Sequence, residues 1–78
     1  MAYRVESLSQ PQSWIRNAKP HVQSAYADMI RSLASDPWRV GVGERSAPNT
    51  RRYAFCVEGE ATFVIEDRCV TVTIVGIR

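Results

Sequence analysis

The sequence holds a single histidine, His21, and two cysteines, Cys56 and Cys69, which share no C-x-x-C spacing and have no histidine near them. A zinc site draws three or four such ligands from short spacings, so no metal site is expected, and nothing suggests another cofactor. No apolar run approaches the roughly 20 residues that a membrane span requires. The opening Met-Ala-Tyr-Arg-Val-Glu has neither the apolar core nor the cleavage site of a secretory signal. The expected setting is the cytoplasm, away from membranes, with both thiols free. Charge of one sign is scarce too: the formal net charge is +2 and the pI about 8.8. That balance suits a nucleic acid or an acidic protein partner, and equally an ordinary solvated surface. Gly41-Val42-Gly43 lacks a third glycine and does not lead from a strand into a helix, which excludes a phosphate-binding loop.

What the sequence does have is the composition of one globular domain, 45% hydrophobic and 23% charged over 78 residues, so residues 1–78 are read as a single unit. Tyr3 to Leu8 alternates, with Tyr3, Val5 and Ser7 on one side and Arg4 and Glu6 on the other, as a first strand does. Ser9-Gln10-Pro11-Gln12 has the form of a capping box with proline in the first turn, and a short helix follows with Trp14, Ile15 and Ala18 on one face. Lys19-Pro20 interrupts it. From Pro20, Val22, Ala25, Tyr26, Met29, Ile30 and Leu33 recur at steps of three and four until Ser35-Asp36-Pro37 ends the pattern. The reading is a helical hairpin, with a single kinked helix as the alternative. Residues 38–51 carry Gly41, Gly43, Pro48 and Asn49 and no usable periodicity, a long link of the kind that often serves function.

The C-terminal third alternates strictly. Pairing Val57 with Ala61 and Ile65 with Val70 predicts three rows: Tyr53–Ile65–Val70, Phe55–Phe63–Val72 and Val57–Ala61–Ile74. All nine residues are apolar and share one face. A slip of one residue brings polar groups into the rows. The apolar face needs a cover, and the helical surface from Trp14 to Leu33 is the one available. The predicted class is α+β, ordered β-α-α-β-β-β, with a helical hairpin on one face of an antiparallel sheet. The opposite face, with Ala54–Val64–Thr71, Cys56–Thr62–Thr73 and Arg52 opposite Glu66, is small and semi-polar: a binding surface or a solvated sheet face. In this register the cysteines lie roughly 13 Å apart, beyond the ~7 Å reach of a disulfide.

Single residues have bland readings beside the functional ones. Arg51 and Arg52 are adjacent, so in a strand they point to opposite faces; they are phosphate contacts or a solvated strand start. Tyr26 and Tyr53 fall in apolar patterns and are read as core. Trp14 belongs to the helical face, and Trp38 is a staple or an anchor for a partner. His21, without an acidic or thiol neighbour in sequence, is read as a surface residue. Glu58, Glu60, Glu66 and Asp67 sit in hairpin turns, where solvation accounts for them.

The organisation resembles the RelE/ParE superfamily of small toxins from bacterial toxin–antitoxin pairs. The resemblance rests on Tyr3-Arg4-Val5-Glu6, on Pro20-x-Val22 with Ile30, Leu33 and Asp36-Pro37, on the link from Gly41 to Arg45, on the Gly59 turn, and on the closing Val72-Thr73-Ile74-Val75-Gly76-Ile77-Arg78. It implies a toxin-like protein with a cognate antitoxin as partner. Enzymatic members are ribosome-dependent mRNA interferases that block translation; others inhibit DNA gyrase without catalysis, and a degenerate homologue would act as a protein-interaction module. For an RNA-cutting member the resemblance implies Arg78, Arg52 and Arg45 as catalytic residues and Arg45, Arg51, Arg52 and Arg78 as RNA-binding residues. Guanidinium groups there would stabilise charge on the scissile phosphate. The family's strand arginines fall on Phe55 and Val57 and its hairpin arginine on Thr62. The loop has Glu44-Arg45 where lysines are common. The sequence ends at Arg78, ahead of the segment that carries a tyrosine in many nucleases of the family.

Overall fold

In a computed structural model, which describes residues 2–78, the chain begins in the sheet and leaves it for two helices. Strand β1 (Arg4–Ser7) exposes Arg4 and Glu6 and half-buries Val5 and Ser7, as its alternation predicts. Leu8 stays extended and donates its N–H to Ile74 O at 3.0 Å, so strand passes directly into helix α1 (Ser9–Arg16). The expected capping box does not form. Leu8 is the N-cap, Ser9 is already helical, and the Gln12 amide donates to Ser7 O at 2.6 Å. The continuing β ladder fixes where the helix starts, and it starts one residue earlier than the hydroxyl cap would place it.

Helix α2 (Pro20–Ser35) starts where proline is best tolerated, at the first helical position after an extended Lys19. Val22, Tyr26, Met29 and Leu33 are its buried residues, at steps of four, three and four. Asp36 leaves the helical region, and Pro37–Arg39 forms one 3-10 turn. The hairpin of two helices, rather than one kinked helix, is what the Lys19-Pro20 break produces.

Four further strands follow: β2 (Val42–Gly43), β3 (Thr50–Cys56), β4 (Gly59–Glu66) and β5 (Thr71–Ile77). The sheet order is β1-β5-β4-β3-β2. It is mixed rather than purely antiparallel, because β1 runs parallel to β5 while the other pairs are antiparallel. The short β2 within the link was not expected. It rests on Gly41, whose φ is +74° and whose place a Cβ would fill at 2.2 Å from Arg52 O. Only glycine allows the link to turn this close to β3.

The predicted rows need correction. Phe63 lies opposite Arg51 and Ile74, not Phe55 and Val72; Tyr53 lies opposite Ala61; and Arg52 lies opposite Thr62 rather than Glu66. Through the body of the strands both pairings slip by an even number of residues, four between β3 and β4 and two between β4 and β5; past a bulge in each pairing, at Cys56 and at Gly76–Ile77, the offset becomes odd. An even slip keeps a strand side chain on its face, and the odd step past each bulge turns Cys56 and Ile77 toward the core. Phe55, Ala61, Phe63, Ile65, Val72 and Ile74 are therefore buried as expected, together with Ile77. The cause of the first slip is the turn: Val57 and Glu58 alone span it, Cys56 lies opposite Gly59, and a bulge falls between Ala54 and Cys56. Three residues of the predicted apolar face leave the core. Val57 sits in the turn, 103% exposed; Tyr53 is 37% exposed; and Val70, at φ +50°, ends the 3-10 turn before β5.

The helices cover the apolar face of the sheet, and the core joins α2 to β3, β4 and β5. Phe55 is held between two edge-on rings, Trp14 at 5.9 Å and Tyr26 at 5.5 Å between centroids. Tyr26 is core, as predicted, with its hydroxyl 2.8 Å from Ser7 Oγ. Burial raises its pKa, opposed by the bond to Ser7. Both cysteines are free, Cys56 half-buried and Cys69 exposed. No helix among the described residues is long and apolar enough to cross a membrane.

Candidate nucleic-acid interface

The face of the sheet away from the helices presents Thr50, Arg52 and Ala54 from β3, Glu60, Thr62 and Val64 from β4, and Thr73 from β5, as the register and pleat dictate. A shallow hollow lies across it, lined by Glu44, Ser46, Arg52, Thr62, Arg78 and Gln10 among others. Two of the sequence-predicted arginines meet here. Arg52 reaches it from β3 and pairs through Nε with Glu44 Oε1 at 2.5 Å. Arg78 follows β5; its backbone exchanges hydrogen bonds with Glu60 (2.9 and 3.0 Å), and its Nε stands 3.8 Å from Glu60 Oε1. Its side chain is 78% exposed.

Arg45 lies between Glu44 and Ser46, two residues that line the hollow, and is exposed. Arg51 points the other way, as its adjacency to Arg52 requires. Its Nε donates to Val40 O at 2.9 Å and a terminal nitrogen donates to Gly41 O at 2.8 Å, while the guanidinium lies 5.9 Å from the Trp38 ring centroid. These contacts clamp the 37–43 segment to β3 and take Arg51 away from the hollow. The structure thus brings Arg52 and Arg78 together with Arg45 at the margin, and separates Arg51 from them.

Three features escaped the sequence. Glu44 and Glu60 neutralise the hollow's arginines, and Gln10, read there as part of a cap, lies in its wall. None had a local signal, since each pairing joins residues of different elements that meet only in the finished fold. The turn acids are likewise more than solvated. Glu58 meets His21 Nε2 at 2.6 Å, and that bond holds its carboxyl below the usual range. Asp67 accepts from the Tyr3 hydroxyl at 2.7 Å and from Trp38 Nε1 at 3.0 Å; both bonds lower its pKa, and the first raises that of Tyr3. Trp38, half-exposed, is a staple between the link and the β4–β5 turn. Among the described residues no group of three or more His, Cys, Asp or Glu comes together to hold a metal.

This architecture has counterparts among solved structures. Escherichia coli toxin RelE, a double arginine-to-alanine variant in the free state, matches with a TM-score of 0.84 at 14% identity, over 99% of this chain and 82% of that one. The intact E. coli RelBE toxin–antitoxin complex matches at 0.85 and 13% identity, over 97% and 94%. The fold is that of the RelE toxins. The RelBE2 toxin–antitoxin complex of Mycobacterium tuberculosis has it too, at 0.82 and 20% identity over 100% and 91%. Neither a protein-family model nor a curated protein sequence matches the chain.

Proposed function

We propose that this chain is a toxin, or toxin-like protein, of a toxin–antitoxin pair that blocks translation by binding and cutting mRNA at its open sheet face, with a cognate antitoxin as its protein partner. The observation that carries the reading is the convergence of Arg52 and Arg78 on one hollow of the uncovered face of a RelE-type fold. Arg78 and Arg52 meet the scissile phosphate, and Arg45 meets a neighbouring one. Cleavage of RNA proceeds by attack of the 2′-hydroxyl on the adjacent phosphorus with departure of the 5′-oxygen. Fixed guanidinium groups lower its barrier by stabilising the charge that gathers on the phosphoryl oxygens. Glu44, beside Arg52, is the one carboxylate lining the hollow among the described residues, and is the local candidate for moving the proton. Arg51 supports the site through the link it clamps.

A second reading draws on a specific observation: both arginines are already paired with carboxylates, and no histidine, lysine or tyrosine lines the hollow among the described residues. On that reading the chain acts without catalysis, as a binder of a protein target such as DNA gyrase or as an interaction module. Programmed ribosomes carrying a defined mRNA separate the two. Wild-type cleavage that falls by one to several orders of magnitude in Arg78→Ala, at unchanged thermal stability, supports the first. Robust cleavage that survives Arg78→Ala sinks the site assignment. No cleavage, with tight binding to an antitoxin-like protein encoded beside this chain, supports the second.

A further inference from the structure

Strand β1 pairs with β5 only from Thr71 to Ile74, and the Leu8 N–H takes Ile74 O as the chain turns into α1. Beyond that point the outer edge of β5 has no strand beside it among the described residues. The side chain of Gln10 fills the place: its Oε1 accepts from Ile77 N–H at 2.7 Å, and its Nε2 donates to Ile77 O at 2.8 Å. This is the two-bond exchange that a directly opposed residue makes in an antiparallel ladder, supplied by one amide group. On the inner edge, Glu60 makes the same exchange with Arg78. Ile77 is therefore held from outside and Arg78 from inside, with the Ile77 side chain buried in the core.

We infer that Gln10 is a positioning residue for Arg78: its amide stands in for a missing strand and fixes the backbone that presents the Arg78 guanidinium to the hollow. The chemistry demands a side chain with a donor and an acceptor on one planar group, which among the residues of this length only glutamine offers; a carboxylate keeps the acceptor alone. Loss of the amide leaves the Ile77 N–H and C=O on a free edge, and the segment through Arg78 is then tied on one side only. The inference rests on the reading of Arg78 as a phosphate contact.

The test uses the full chain in four forms beside the wild type: Gln10→Ala, Gln10→Glu, Arg78→Ala and the Gln10→Ala/Arg78→Ala double variant. Amide hydrogen exchange and 15N relaxation report on the backbone, and binding of a single-stranded RNA oligonucleotide across a salt series reports on the site. In Gln10→Ala, exchange at Ile77 should accelerate about tenfold or more and order at Arg78 should fall, with Phe63 and Ile65 unaffected. Gln10→Glu should protect Ile77 to an intermediate degree. The slope of log affinity against log salt should fall by about 0.7 in Gln10→Ala and in Arg78→Ala alike, the share of one phosphate contact on a single strand, and no further in the double variant. General destabilisation does not produce that pattern. Unchanged exchange at Ile77 and order at Arg78 in Gln10→Ala overturns the inference, as does a further loss of slope in the double variant, which would make Gln10 an RNA contact in its own right. Wild-type RNA binding that is absent or indifferent to Arg78→Ala overturns the functional reading instead, while the exchange and relaxation data still decide the positioning role.

Discussion

Replacing Gly59 by alanine tests the strand register more sharply than any deletion in the core. A Cβ at Gly59 would meet Phe55 Cζ and Trp14 Cη2, each at 2.8 Å. Both are ring edges, which are often free to yield, but the Phe55 ring is braced between Trp14 and Tyr26, so yielding at one contact compresses another. Overpacking of this kind costs about 1–3 kcal/mol. A domain of this size has roughly 4–12 kcal/mol in hand at 0.05–0.15 kcal/mol per residue, so the loss is measurable and the fold survives it. Urea unfolding followed by tryptophan fluorescence should show the midpoint lowered by roughly 1 M, given a slope of about 1–3 kcal/mol per molar. The three-residue turn expected from the sequence predicts otherwise. There Gly59 is the solvated apex of the loop, and alanine is neutral or slightly stabilising. A change within about 0.5 kcal/mol would refute the packing described for Gly59 and reinstate the longer turn. Val57→Ser completes the pair: as an exposed turn residue it should change stability by less than about 0.5 kcal/mol, whereas in the longer turn it would remove a core side chain.

Phe63, fully buried at the centre of β4, should cost about 3–5 kcal/mol on truncation to alanine, read from the same unfolding curves. Asp67, held below its ordinary pKa by the bonds from Tyr3 and Trp38, adds stability that is complete above the normal aspartate range and fades as pH falls through its lowered value; Asp67→Asn should therefore flatten the acid side of a plot of Tm against pH. A thiol reagent should label Cys69 quickly in the native protein and Cys56 more slowly, with both labelled on denaturation without prior reduction.

The chain's helices and faces were legible because they depend on period. Val22, Tyr26, Met29 and Leu33 announce a helix and its buried stripe, and the alternation from Phe55 to Ile74 announces which side of the sheet is covered. Register was legible only to within an even step, since any shift of two satisfies the same pattern; the Val57-Glu58 turn and the bulge beside Phe55 decide it, and neither has a strong signature. The parallel pairing of β1 with β5 joins residues more than sixty positions apart and leaves no local trace. The site divides the same way. The opposed directions of Arg51 and Arg52 follow from adjacency, but the carboxylates that meet Arg52 and Arg78, and the amide of Gln10 behind Ile77, are products of the finished sheet.

Parallel pairing of β1 with β5 also shapes how the molecule comes to exist. The hairpins β3–β4 and β4–β5 close short loops and can form early, but β5 is flanked on its other side by the strand that begins the described chain. Bringing Arg4 to Thr71 closes a loop of nearly the whole domain, and its entropic cost must be met before the contact returns anything. Topologies rich in such distant contacts fold more slowly than local ones. During synthesis β1 is made ahead of β5 and can pair only after it, so the partly buried Tyr3 and Val5 reach their places against the core late.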